Sequence, residues 1–97
     1  MAALSGSMLR NAVRAADEMD PGLARSVLER DAELDAEFAA ALRLVMTYVL
    51  QDHRFLRPTI DTIFALKGLE RIGDHATNIA EQVLYMMGQG RQQADAA

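Results

Sequence analysis

The chain has 97 residues, 51% of them apolar and 25% charged, with a net charge of −4. That length makes one small globular domain, which buries only about two-thirds of its unfolded surface. The absence of cysteine excludes disulfides, thiolate metal sites and cysteine nucleophiles. Basic residues are scattered rather than clustered, which argues against a nucleic-acid partner. No apolar run approaches the ~20 residues that span a bilayer, and no signal-peptide layout is visible. The expectation is a cytoplasmic protein.

Met1 to Ser7 is rich in small residues and is expected to fray as a flexible N-terminus. From Met8 to Met19, the residues Met8, Ala12, Val13, Ala15, Ala16 and Met19 predict a short amphipathic helix. Asp20-Pro21-Gly22 ends it and starts the next, since Asp20 is a good N-cap and Pro21 suits the first helical position. A long helix is predicted from Pro21 to about Gln51. At about 100° per residue, Ala24, Val27, Leu28, Leu34, Phe38, Leu42, Val45 and Val49 lie within roughly 60° of Asp31, and Asp35 shares the arc. Two aspartates one turn apart are thus expected in the middle of a buried stripe. Withdrawing a carboxylate from water costs several kcal/mol unless something pairs with it, so this stripe calls for a cation.

Asp52 to Leu56 reads as a turn, and Pro58 fits the first turn of a last helix running to about Met87, with Gly88 and Gly90 as stop signals. Residues 89–97 read as a flexible tail. No strand pattern or repeat is present. Helices of about 30 residues, far above the usual 11–12, predict an all-α, antiparallel three-helix bundle over residues 8–88.

The seam of the last helix is Leu66, Leu69, Gly73, Ala76, Ala80, Val83 and Met87. Its middle is small, so a neighbouring helix can come close. A glycine there costs roughly 1 kcal/mol against alanine and asks for a reason. Glu70, Asp74 and Glu81 fall within an arc of roughly 40° and form an acidic edge beside this waist. If the long helices turn near residue 54, Asp31 comes level with Asp74, and Asp35 with Glu70, each within about a turn. Four converging carboxylates suit hard cations such as magnesium, manganese, calcium or ferric iron. Two other readings stay open on pattern alone: closure by Arg10 or Arg14 as a structural ion network, or simple solvent exposure.

The string Leu69-Glu70-Arg71-Ile72-Gly73-Asp74-His75-Ala76-x-Asn78-Ile79-Ala80-Glu81, with Asp31-x-x-x-Asp35 and the Asp20-x-x-Leu23-Ala24 helix start, resembles the PhoU family of phosphate-uptake regulators. The resemblance spans residues 8–88. It implies a three-helix bundle whose acidic motifs, here Asp31, Asp35, Glu70 and Asp74, bind metal ions such as iron or zinc, often in multinuclear clusters. It further implies a cytoplasmic adaptor that couples the ABC phosphate transporter to a sensor histidine kinase and restrains the phosphate-starvation response. Members of the family usually carry two such bundles in tandem. One bundle alone is either a single-repeat homologue or the second half of a longer protein, and a lone bundle is expected to pair with a copy of itself. Ile72, Ile79 and Met86, with Phe64 and Tyr85, offer the spare apolar surface.

Asn78 and Glu81 are candidates to coordinate from further out or to hydrogen-bond the ligands, and otherwise read as solvated polar residues. His75 points away from the seam and reads as exposed, as does His53 in the turn. Arg71 and Lys67 read as surface ion-pair partners, and Met86 and Met87 as packing residues. Two competing functions are weaker. A carboxylate-bridged metal oxidoreductase wants Glu-x-x-His on two helices, where this chain has Glu-x-x-x-Asp-His. A histidine phosphotransfer bundle would have to use His75. No nucleophile–base pair or phosphate loop is present, so no catalysis is expected.

Overall fold

Residues 1–88 are described by the computed structural model. They form α1 (Ala2–Glu18), α2 (Pro21–Gln51), a 3-10 turn (His53–Phe55) and α3 (Leu56–Met86). The expected tail, residues 89–97, lies outside them.

Local chemistry sets each boundary. Met19 ends α1 in the left-handed region (φ 51°), and the Asp20 N–H donates to the Ala15 carbonyl (2.9 Å), satisfying a carbonyl the helix end would leave open. Asp20 then turns round as N-cap, its Oδ1 accepting from the Leu23 N–H (3.1 Å), with Pro21 behind it. Between the long helices, Asp52 accepts from the Arg54 backbone N–H (2.9 Å) and from its guanidinium Nη2 (2.6 Å). These bonds hold the Asp52 carboxyl below its ordinary value and raise that of Arg54. Pro58 falls in the first turn of α3, as predicted.

The first helix starts earlier than the sequence suggests. It begins at Ala2 rather than Met8, so residues 1–7 are part of the bundle: Leu4 and Ser5 are buried, and the Met1 amino group pairs with Glu37 Oε2 (3.2 Å). Ser5, Gly6 and Ser7 are indifferent helix formers. Burial of Leu4 in line with Met8 supplies what propensity lacks.

The core is Leu4, Met8, Ala12 and Ala15 from α1, Ala24, Val27 and Leu34 from α2, and Ala76, Ala80, Val83 and Leu84 from α3. It occupies one half of the molecule because α1 has 17 residues against 31 in α2 and α3, about 25 Å of helix beside about 46 Å. Past Leu34 no residue of α2 is buried, and before Gly73 only Thr59 of α3 is. The result is a three-helix bundle that runs out into a two-helix hairpin. Along the hairpin Leu44, Met46, Tyr48, Leu50, Phe55, Leu56, Ile60 and Phe64 stand exposed. The radius of gyration, 16.7 Å, exceeds the 12–13 Å or so of a compact domain of this length, and the extents are 53 × 28 × 14 Å.

Candidate metal centre

The register of α2 on α3 is set by one contact. Leu34 is fully buried and lies directly over Gly73, so close that a Cβ at 73 would run into Leu34 Cδ2. This is the reason for the mid-helix glycine. Asp31 and Asp35 stand three before and one after Leu34, and Glu70 and Asp74 stand three before and one after Gly73. In antiparallel helices those offsets bring both acidic pairs to one edge of the crossing.

The electrostatics agree with that placement. The Asp31 carboxyl is pushed above its ordinary value, first by burial and then by the negative charges of Asp35, Asp74, Glu70 and Glu81. One group thus feels the other three predicted ligands and Glu81 together. A counter-charge is largely missing. Lys67 Nζ donates to Glu70 Oε1 (2.9 Å) while lying over the Phe38 ring (5.3 Å). Among the described residues no ion pair reaches Asp31, Asp35, Asp74 or Glu81. Closure by arginines of α1 is not what forms: Arg14 pairs with Glu18 on its own helix (3.1 Å), and Arg10 lies along α1 beside Gly6.

Two details of the expectation change. Asp31 is half-buried and Asp35 exposed, so the pair sits on the rim of the buried stripe rather than in its middle. The buried residues of α2 are Ala24, Val27 and Leu34, so the stripe is centred nearer Leu34 and Val27 than the aspartates. As the side chains lie, no three Asp, Glu or His groups among the described residues stand close enough to share an ion. The all-oxygen donor set and the uncompensated field fit a hard cation. An ion held there would draw freely rotating carboxylates inward rather than enter a preformed cage.

Asn78 and Glu81 are exposed, as are His75 and His53. Arg71 is exposed, and Lys67 makes the surface ion pair expected of it. Met86 and Met87 are also exposed, so neither packs into the core. Sequence reasoning flagged Gly73 without finding Leu34, although their numbers fit the same antiparallel register as the acids. It missed the Met1–Glu37 pair, which depends on α1 extending to the first residue.

The PhoU domain model matches residues 1–83. The chain belongs to the PhoU family. It is 45% identical over 84 residues to a phosphate-specific transport system accessory protein PhoU homolog of Xylella fastidiosa (strain Temecula1), a match covering 87% of this chain and 35% of the relative. The equivalent protein of Pseudomonas aeruginosa is 44% identical over 80 residues, covering 82% and 33%. The crystal structure of PhoU from Pseudomonas aeruginosa superposes with a TM-score of 0.84 at 41% identity, covering 88% of this chain and 41% of that one. The chain therefore spans about a third of the length of the curated PhoU relatives it matches. No helix among the described residues is long and apolar enough to cross a membrane.

Proposed function

We propose that this PhoU-family chain is a cytoplasmic, metal-binding regulatory adaptor of phosphate uptake, linking the ABC phosphate transporter ATPase to a sensor histidine kinase and restraining the phosphate-starvation response. The observation that carries the metal part is the acidic edge at the Leu34–Gly73 crossing, where Asp31 feels four other carboxylates and Lys67 neutralises only Glu70. Asp31, Asp35, Glu70 and Asp74 would hold the ion or ions, with Asn78 and Glu81 supporting from the same flank. Iron, zinc, manganese and magnesium are the candidates. A bound cation would supply positive charge that cancels the repulsion and ties α2 to α3; the carboxylates themselves would only bind and orient it. Nothing in this role requires catalysis. The transport part is supported by the relatives named as accessory proteins of a phosphate-specific transport system. A chain carrying one bundle would pair with a copy of itself.

Elemental analysis of chelator-stripped and reloaded protein tests the metal part. Wild type should retain metal after desalting, and Asp35→Ala/Asp74→Ala should retain little. Equal retention by both would refute the assignment. Co-purification of the tagged full chain with the transporter ATPase and with the sensor kinase from phosphate-replete cells tests the adaptor part, and capture of neither would refute it.

A further inference from the structure

The solvent face of α3 carries a second seam. At about 100° per residue, Arg57, Ile60, Phe64, Lys67, Arg71 and His75 follow one another in steps of three and four within an arc of roughly 80°. The arc lies opposite the buried Gly73, Ala76 and Ala80, so it faces away from the core. All six residues are exposed, Phe64 to 73%. The chain has a net charge of −4, yet the arc holds three permanent cations and no carboxylate. Asp61 flanks it on one side, and Glu70 and Asp74 on the other. Among the described residues neither Arg57 nor Arg71 has an ion-pair partner.

Beside Phe64 this face is notched. A recess of about 440 Å³ is lined by Phe64, Lys67, Gly68, Glu70, Arg71 and Asp74, and nothing stands within 4 Å of a Cβ built on Gly68. Leu34 accounts for Gly73, but no contact within the described residues accounts for Gly68, which costs α3 about 1 kcal/mol against alanine. A glycine on the outside of a helix lets another backbone approach closely.

We infer that the outer face of α3 docks an acidic amphipathic helix of a partner protein, its apolar edge on Ile60, Phe64 and the Gly68 notch and its carboxylates on Arg57 and Arg71. The spacing calls for a helix, because residues recurring in steps of three and four over about 27 Å meet a second helix along its length. The charge calls for acid. Arg57 and Arg71 stand about 21 Å apart with Phe64 midway, so an apolar anchor lies between two unpaired guanidiniums, each able to take a carboxylate in a two-pronged bond. A flat anionic surface such as a membrane fits less well. The stripe is one helix wide, and Glu70 and Asp74, each one turn from Lys67 or Arg71, would repel such a surface at unscreened range. This docking role rests on the adaptor reading only in taking the partner to be a protein, and it needs no metal.

Fluorescence anisotropy with a synthetic amphipathic peptide of about 20 residues, leucine at every third and fourth position and glutamate on both flanks, tests it on chelator-treated protein. Wild type should bind this peptide about ten-fold or more tightly than a twin with glutamine for each glutamate, and less tightly as salt rises. Phe64→Ser should weaken binding about thirty-fold, as loss of an interface anchor does, and Arg71→Glu about ten-fold with a flatter salt dependence. Gly68→Ala should weaken it about five-fold by filling the notch while raising Tm, a split that a merely structural glycine would not show. Leu50→Ser, on α2 and 82% exposed, should leave binding unchanged, and helical circular dichroism should be the same throughout. No binding, no preference for glutamate over glutamine, or equal binding by wild type and Phe64→Ser/Arg71→Glu would overturn the docking role. Co-sedimentation with phosphatidylglycerol vesicles that Phe64→Ser abolishes would instead give the face to a membrane, and self-association that it abolishes would give it to a second copy; either overturns a partner helix. All of these leave the co-purification test of the adaptor reading to be decided separately.

Discussion

Replacing Gly73 by alanine separates a glycine that the fold needs from one it merely tolerates. Helix propensity alone favours the change by about 1 kcal/mol. Against that, the new Cβ would occupy the place of Leu34 Cδ2, and Leu34, 1% exposed, has no open side to retreat into. Forcing an extra carbon into a filled core costs about 1–3 kcal/mol. The net is a destabilisation of about 1 kcal/mol, or roughly 4–8 °C in Tm for a domain of this size. Gly68 is the internal control: it lies in the same helix, and nothing stands within 4 Å of a Cβ built there. Gly68→Ala should therefore stabilise by about 0.5–1 kcal/mol. Thermal unfolding followed at 222 nm, at one protein concentration and with chelator, reads both. In a Leu34→Ala background, itself about 2–5 kcal/mol less stable, the vacated space should turn Gly73→Ala into a stabilising change. If Gly73→Ala raises Tm as much as Gly68→Ala in wild type, the Leu34 contact does not set the register and the account of the acidic edge loses its frame.

Other substitutions probe the remaining devices. Because the folded Asp31 pKa lies above its ordinary 3.8, the folded state binds the proton more tightly, and stability falls as pH rises from about 3.8 through the raised value. Asp31→Asn should therefore stabilise the protein at pH 7 without metal, by about 0.5 kcal/mol, through relief of the buried charge and then of its like-charge neighbours, read as a higher Tm, and change nothing near pH 3; a lower Tm at pH 7 would contradict the repulsive edge. With a saturating divalent cation the order should reverse, wild type gaining more Tm than the variant. Asp20→Ala removes the cap on Leu23 and should cost about 1 kcal/mol in a urea titration. Met19→Gly relieves a left-handed residue (φ 51°) and should gain up to about 1 kcal/mol in the same assay; a loss would mean that the half-exposed Met19 side chain packs more than its exposure suggests.

Much of the molecule was written in local pattern. Asp20-Pro21, Asp52 with Arg54, and the small-residue seam at Gly73, Ala76 and Ala80 fix where helices start, turn and approach, because caps, ring constraints and side-chain volume act over a few residues. The antiparallel register follows from the turn position, which is why Asp31, Asp35, Glu70 and Asp74 could be assigned to one edge before any coordinates. Exposure could not be read the same way. Asp31 and Asp35 fall inside the apolar arc of α2, yet Asp31 is half-buried and Asp35 exposed; what packs over a helix is not a property of the helix being covered. The start of α1 at Ala2 was hidden because Ser5, Gly6 and Ser7 carry no helical signal, and burial of Leu4 against two other helices decides it. So the sequence by itself determined the helices, their order and the level at which the acids meet. Only the tertiary structure decided that residues 2–7 join α1 and that the acids stand at the rim of the buried stripe, because burial is shared between elements far apart in the chain.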